Sequence, residues 1–169
     1  RFNFERKLNG FSLLKCKNCG LTCVNPRLPE KEVEKGYDNK SEFSDEIHST
    51  EIQSEKTDFS MNKSKIPDIK RRLNIIKKFG YKKILDMGCG DMSFARIGKE
   101  LNLDVESCDV GNWPKKIAEK FNLKFHNGTL STLKFKENTF DCIHSNQVYE
   151  HLDNPLLNLK ESYEESEKP

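Results

Sequence analysis

The segment around position 88 combines residue types that can hold a charged small molecule. A short apolar run, Ile84-Leu85, leads into Asp86, and glycines follow at positions 88 and 90. Glycine tolerates positive φ and lets other groups approach the backbone, and a helix start beyond such a turn offers unpaired N–H groups to an anion. Asp109 lies 19 positions after Gly90, where a carboxylate can accept both hydroxyls of a ribose. The pattern predicts a site for an adenosine-containing cofactor. The glycine pair alone also fits an ordinary strand-to-helix turn, and Asp109 also fits a helix cap.

The residues beside the glycines favour one kind of cofactor. The third glycine of the dinucleotide pattern G-x-G-x-x-G is replaced by Ser93, and Asp86 stands where nicotinamide-binding strands usually carry an apolar residue. The D-x-G-x-G pattern instead resembles motif I of the class I S-adenosylmethionine-dependent methyltransferases. Residues 140–155, FDCIHSNQVYEHLDNP, resemble the F-D-x-I and E-H-L-x-x-P segment of that superfamily. The resemblance covers residues 65–169 and implies methyl transfer from S-adenosylmethionine.

The resemblance implies a role for each residue at this site. The Gly88–Gly90 backbone would hold the methionine portion of the cofactor, Asp86 its ammonium group and Asp109 the ribose hydroxyls. His151 is the candidate general base, although its place near a helix start equally fits a structural role. Many members have a third glycine where this chain has Met92, so we expect a tighter or shifted loop. The implied cofactor-binding residues are Asp86, Gly88, Cys89, Gly90, Asp109, Val110 and Leu130 bordering the adenine, and Asn146, which also fits a plain turn.

Strand and helix patterns alternate after residue 65. We expect Asp68 to cap a first helix that buries Ile69, Leu73 and Ile76 and that has Gly80 just past its end. The expected strands are 82–87, 103–108, 123–126 and 140–144, and the expected helices are 93–101, 113–121 and a last one capped by Asp153 or Asn154, with Leu156, Leu159 and Tyr163 on one face. This alternation predicts an α/β fold with a doubly wound parallel sheet and right-handed crossovers. The sheet should be Rossmann-like, with the later strands of the family missing.

A cysteine motif lies in residues 1–29, where we expect short strands and turns. Cys16-Lys17-Asn18-Cys19-Gly20 is a C-x-x-C-G sequence, which is typical of a zinc knuckle, and a tetrahedral zinc site needs four ligands. Cys23 or His48 could add a third ligand. Some methyltransferases have a similar leader, with a further C-x-x-C upstream, so we expect zinc in the intact protein. The alternative is a pair of reduced surface thiols. Residues 30–64 are polar and should form a linker with marginal helices.

Composition limits the partners. The chain has 34% hydrophobic and 33% charged residues and a net charge of +2, with no basic stripe, so we expect no nucleic-acid partner. We see no apolar run near the ~20 residues of a membrane span. Cysteines within apolar strand patterns indicate a reducing cytoplasm.

The leading hypothesis is a methyltransferase acting on a small molecule such as a sugar, lipid or glycan precursor. A nicotinamide-dependent oxidoreductase or epimerase and a non-catalytic cofactor-binding fragment are the alternatives. The sequence starts at Arg1 and stops where the family usually continues. We therefore expect a piece of a longer protein, in which the fourth strand is an exposed edge.

Overall fold

The computed structural model describes residues 2–8, 10–28, 32, 61–152 and 154–166. The chain divides into two units, residues 1–33 and 34–169. Most of the expected linker at 30–64 lies outside the described residues, as do His48 and Asp153.

The N-terminal unit is an antiparallel three-stranded sheet. Its strands are β1 (Phe2–Leu8), β2 (Phe11–Cys16) and β3 (Thr22–Asn25), and they pair in chain order. The connection between β2 and β3 carries the C-x-x-C-G motif. Short strands and turns around the cysteines match the expectation from sequence.

The second unit is a parallel four-stranded sheet with flanking helices. In chain order its elements are α1 (Ile66–Lys78), β4 (Lys83–Met87), α2 (Ser93–Glu100), β5 (Asp104–Asp109), α3 (Asn112–Phe121), β6 (Lys124–Asn127), α4 (Leu130–Leu133), β7 (Cys142–Ser145) and α5 (Pro155–Glu165). The strand order is β6-β5-β4-β7, and every pairing is parallel. The α/β doubly wound arrangement predicted from the sequence is therefore confirmed, and the order of the strands reverses between β4 and β7.

Alternation along β4 divides the core into two layers, because successive side chains of a strand point to opposite faces. Ile84 packs with residues of α1 and α2 such as Leu73 and Phe94. Leu85 and Met87 pack in the second cluster with Leu130 and Phe140. Asp86 shares the first face with Ile84, so a carboxylate lies in an otherwise apolar layer.

Three expectations about the elements need correction. Asp68 does not cap α1, because the helix begins two residues earlier with Pro67 in its first turn, and Asp68 instead pairs with arginines further along the helix. The fourth parallel strand starts at Cys142, since Phe140 makes only an isolated bridge to Ser166. The short helix α4 was not expected.

Other local predictions are confirmed. Gly80 follows α1 with φ +81° and donates its N–H to the Lys77 carbonyl. Asn154 caps α5 by accepting the Leu157 N–H. Leu156, Leu159 and Tyr163 do share one face of α5, and all three are exposed. Within the described residues β7 is an edge strand.

Candidate functional site

The predicted cofactor residues lie at one edge of the parallel sheet. The loop Gly88–Gly90 follows β4, Asp109 ends β5, and Asn146 directly follows β7. The carboxyl ends of parallel strands meet at the same edge, and ligands of such sheets bind there, where strand order reverses. The residues that the motif indicated therefore lie at the carboxyl ends of β4, β5 and β7. We call the space beyond the ends of β4 and β7 the β4–β7 crevice.

Glycine is present at positions 88 and 90 of the loop for different structural reasons. Both have positive φ, +69° at Gly88 and +49° at Gly90. A Cβ at Gly88 would collide with the Val148 side chain, whereas a Cβ at Gly90 would meet nothing within 4 Å. Gly88 is thus required by packing within the protein. Open space at Gly90 leaves its backbone accessible to a ligand.

Met92 keeps a backbone conformation that favours glycine. It has φ +57° and ψ +14°, directly before α2, and its side chain is completely buried. The backbone retains a left-handed residue at the position where many members of the superfamily have glycine. A methionine in this left-handed conformation has a steric cost of about 1–2 kcal/mol that glycine does not have.

Asp109 connects the ends of β4 and β5. Its Oδ2 accepts the Gly90 N–H at 3.0 Å, and its Oδ1 accepts the Gly111 N–H at 3.0 Å. Asp109 does not cap α3, whose N-cap residue is Gly111 and which has no side-chain cap. An ionised carboxylate has about four acceptor positions, so two remain for ligand hydroxyls.

Asp86 is the buried end of a chain of polar side chains that the sequence did not predict. Its Oδ1 lies 2.7 Å from His144 Nδ1, and an Arg72 guanidinium N–H meets His144 Nε2 at 2.8 Å. Arg72 also pairs with Asp68 at 2.9 Å. Burial raises the pKa of Asp86, while the hydrogen bond from His144 and the charge of Arg72 oppose that rise. A histidine inside an otherwise apolar strand pattern was the available signal, but its partners depend on strand register.

The remaining predicted residues differ in accessibility. Cys89 is buried, and burial raises the pKa of its thiol well above the usual range, so it stays protonated. Val110 is partly buried and Asn146 is exposed. Leu130 is only 1% exposed within the core, so any ligand contact in this arrangement would come from its backbone. His151 is exposed in a 3₁₀ turn, Tyr149–His151.

The cysteine motif forms a tight turn. Gly20 has φ +74°, and its N–H donates to the Cys16 carbonyl at 3.0 Å. Backbone hydrogen bonds from Cys19 and Asn18 lower the pKa of the Cys16 thiol, as expected of a knuckle that directs N–H groups at sulfur. Among the described residues, no group of three or more His, Cys, Asp or Glu side chains is arranged to hold a metal.

The sequence matches a family described as "Methyltransferase domain" over residues 42–167. The match includes most of the chain, and the protein belongs to this family. No curated protein matches the chain by sequence. No helix in the described part of the chain has the length and apolar character needed to cross a membrane.

Several solved structures share this fold. Magnesium protoporphyrin IX methyltransferase of Synechocystis PCC 6803, with bound S-adenosylmethionine, is 16% identical, with a TM-score of 0.59 over 85% of this chain and 74% of that one. The MccD protein is 20% identical, with a TM-score of 0.50 over 59% and 50%. A methyltransferase of Thermotoga maritima is 22% identical, with a TM-score of 0.48 over 59% and 47%. The chain thus spans about half the length of the latter two structures, and the two likenesses with TM-scores of 0.50 and 0.59 show the fold.

The residues at the sheet edge fit the cofactor of the family, S-adenosylmethionine. Gly90 leaves an open backbone surface, Asp109 retains acceptor capacity beside it, and Asp86 supplies a buried carboxylate. These groups match the cofactor's amino-acid portion and its ribose hydroxyls.

Proposed function

We propose that this domain binds S-adenosylmethionine across the β4–β7 crevice and transfers its methyl group to a small-molecule acceptor. The observation that carries the proposal is the hydrogen bond from the Gly90 N–H to Asp109. It joins the loop suited to the methionine portion to the carboxylate suited to the ribose. Both parts of the pocket are therefore held together before a ligand arrives.

Each residue at the edge then has a role. The backbone at Gly90 borders the methionine portion, Asp86 faces its ammonium group, and the free lone pairs of Asp109 accept the ribose hydroxyls. Val110 and the backbone at Leu130 border the adenine. Asn146, which is exposed after β7, faces the sulfur or the acceptor.

Methyl transfer from a sulfonium depends more on the positions of the reacting atoms than on reactive side chains. When bound, the cofactor supplies a methyl group on a sulfonium, which is already a good leaving group. The protein's contribution is to align an acceptor atom with that methyl group and to exclude competing water. His151 is the proposed general base for an acceptor oxygen. Its exposed position leaves its ring able to meet an incoming acceptor.

Calorimetric titration tests the cofactor assignment. We expect binding of S-adenosylhomocysteine and none of NAD, because Asp86 and Ser93 depart from the dinucleotide pattern. Asp109→Ala should weaken binding of S-adenosylhomocysteine. Asp104→Ala is the matched control and should leave that binding unchanged, because Asp104 lies at the opposite end of β5 and pairs with Lys124. Binding of NAD in place of S-adenosylhomocysteine would favour the oxidoreductase alternative.

Transfer of labelled methyl groups tests the activity. We expect label from S-adenosylmethionine to appear in a small polar acceptor, with sugars, lipids and glycan precursors as the classes to screen. His151→Gln should lower the rate of transfer and leave S-adenosylhomocysteine affinity unchanged. Cofactor binding without transfer to any acceptor class would support a non-catalytic binding fragment instead.

We also propose that Cys16 and Cys19 form half of a zinc site. Support comes from the knuckle-like turn and from the lowered pKa of the Cys16 thiol, since metals bind the thiolate. The other two ligands would lie outside this turn.

A further inference from the structure

A chain of four polar side chains connects β4 and β7 with α1. Asp86 on β4 and His144 on β7 are directly opposite each other in the parallel register. Arg72 and Asp68 extend the chain from α1. Only one further pair of residues, Met87 and Ser145, separates the Asp86–His144 contact from the carboxyl edge of these strands. The Asp86–His144 pair therefore lies directly beneath the proposed cofactor site.

Hydrogen-bonding capacity fixes the position of the histidine proton. A guanidinium has donors and no acceptor, so Arg72 must donate to His144 Nε2 across the 2.8 Å contact. His144 Nε2 therefore carries no proton. Its single proton lies on Nδ1 and is donated to Asp86 Oδ1 at 2.7 Å.

The histidine ring is also held in a fixed plane. Phe94 of α2 stacks on it, with ring centroids 3.8 Å apart and planes 9° from parallel. The His144 side chain is 11% exposed and that of Asp86 is 4% exposed. Stacking and burial therefore fix the ring plane from which Nδ1 contacts Asp86 Oδ1.

Asp86 has one oxygen that the protein does not use. Within the described residues, the only side-chain hydrogen bond of the carboxylate is that of Oδ1 with His144. Oδ2 has no donor among the described residues, yet it is not one of the fully enclosed polar atoms without a partner. It is therefore open to a cationic donor from a ligand. The α-ammonium of S-adenosylmethionine is such a group.

We propose that His144 and Arg72 are positioning residues that hold Asp86 Oδ1, so that Oδ2 receives the ammonium group of the cofactor. His144 acts through its Nδ1–H, and Arg72 acts by fixing that tautomer. This role rests on the proposed function, because it requires the cofactor's amino-acid portion to lie above β4.

Two ligands separate positioning from a general structural role. S-adenosylhomocysteine carries the ammonium group, whereas 5′-methylthioadenosine keeps the adenosine and the sulfur but lacks the amino-acid portion. His144→Phe preserves the stacked ring and removes both hydrogen bonds. We expect it to weaken S-adenosylhomocysteine binding by about tenfold or more and 5′-methylthioadenosine binding by less than about twofold.

Three further variants complete the set. His144→Asn places a side-chain N–H near the former Nδ1 and should restore most of the lost affinity. Arg72→Met should weaken S-adenosylhomocysteine binding selectively. Arg71→Met is the matched control, because Arg71 also pairs with Asp68 on the same helix but is 63% exposed and makes no contact with His144. It should bind both ligands as the parent chain does.

The results distinguish the two levels of the proposal. If the parent chain binds neither ligand, the cofactor assignment fails and this inference fails with it. If the parent binds both and His144→Phe weakens both equally or neither, the positioning role alone is overturned. Nitrogen-15 NMR of the parent gives a readout that does not depend on variants folding: an Nδ1–H tautomer supports the proposal, and an Nε2–H tautomer overturns it.

Discussion

Met92 offers a prediction in which the usual order of alanine and glycine is reversed. In a helix or strand interior, glycine is less stable than alanine by about 0.5–1 kcal/mol, because it loses more backbone entropy on folding. Met92 has φ +57°, where an L-residue pays about 1–2 kcal/mol that glycine does not. The difference between the two effects favours glycine by up to about 1.5 kcal/mol.

Both variants also lose the methionine side chain. Because that side chain is fully buried, Met92→Ala should lower the free energy of unfolding by about 2–5 kcal/mol. Met92→Gly leaves nearly the same cavity but relieves the backbone. We therefore expect Met92→Gly to be the more stable of the two variants.

Urea unfolding followed by circular dichroism measures the comparison. Lys116 is the matched control, because it is exposed within α3. There, Lys116→Gly should be less stable than Lys116→Ala by about 0.5–1 kcal/mol. If Met92→Gly proves less stable than Met92→Ala, relief of the left-handed backbone is the smaller of the two effects at this position and the reasoning fails.

Three other predictions test the site and the fold. Asp109→Ala should weaken S-adenosylhomocysteine binding by about 1–3 kcal/mol, because hydrogen bonds to a charged acceptor are lost; equal calorimetric affinities of variant and parent would refute the ribose contact. The protein at its natural length should purify with about one zinc, and serine at both Cys16 and Cys19 should remove it; elemental analysis without metal would exclude the half-site. Burial, together with Glu161 and Glu164, raises the pKa of Glu165 from 4.5 to about 7. Glu165 therefore loses its proton at lower pH in the unfolded chain than in the folded one, and the free energy of unfolding should fall between pH 4.5 and 7. Glu165→Gln should reduce the fall of the melting temperature over that pH range. An unchanged dependence on pH would contradict the assignment.

The order of strands and helices could be predicted because local signals mark their boundaries. Gly80 ends α1, and the Gly88–Gly90 turn separates β4 from α2, each by a conformation that its residue type favours. The signal was weaker for α4, which has only four residues. Its capping box uses Thr129 and Thr132 in place of the usual Glu or Gln at the third helical position, so the sequence there is typical of a loop.

Register explains what the sequence could not predict about the site. Motif spacing was sufficient to predict that Asp109 lies at the end of β5 beside the glycine loop, because a single helix and strand join the two. The pairing of Asp86 with His144 joins positions 58 residues apart, and it depends on which residues of β4 and β7 face each other. A shift of one residue would place His144 on the opposite face of the sheet. The contact with Arg72 further depends on how α1 packs over that face.

Local rules of structure are broken repeatedly at the same edge of the sheet. Met92 and Gln147 both have positive φ, Asp86 is a carboxylate within an apolar layer, and Gly88 admits the Val148 side chain where any Cβ would collide. Each of these features costs stability, and such exceptions are expected where function rather than folding sets the residue type. All four lie in the segments that follow, or end, β4 and β7, the two strands between which the strand order reverses. Positive φ also occurs away from this edge, at Lys134 and at three asparagines. The buried carboxylate of Asp86 and the close contact of Gly88 with Val148 are therefore the features that indicate this edge without any family motif.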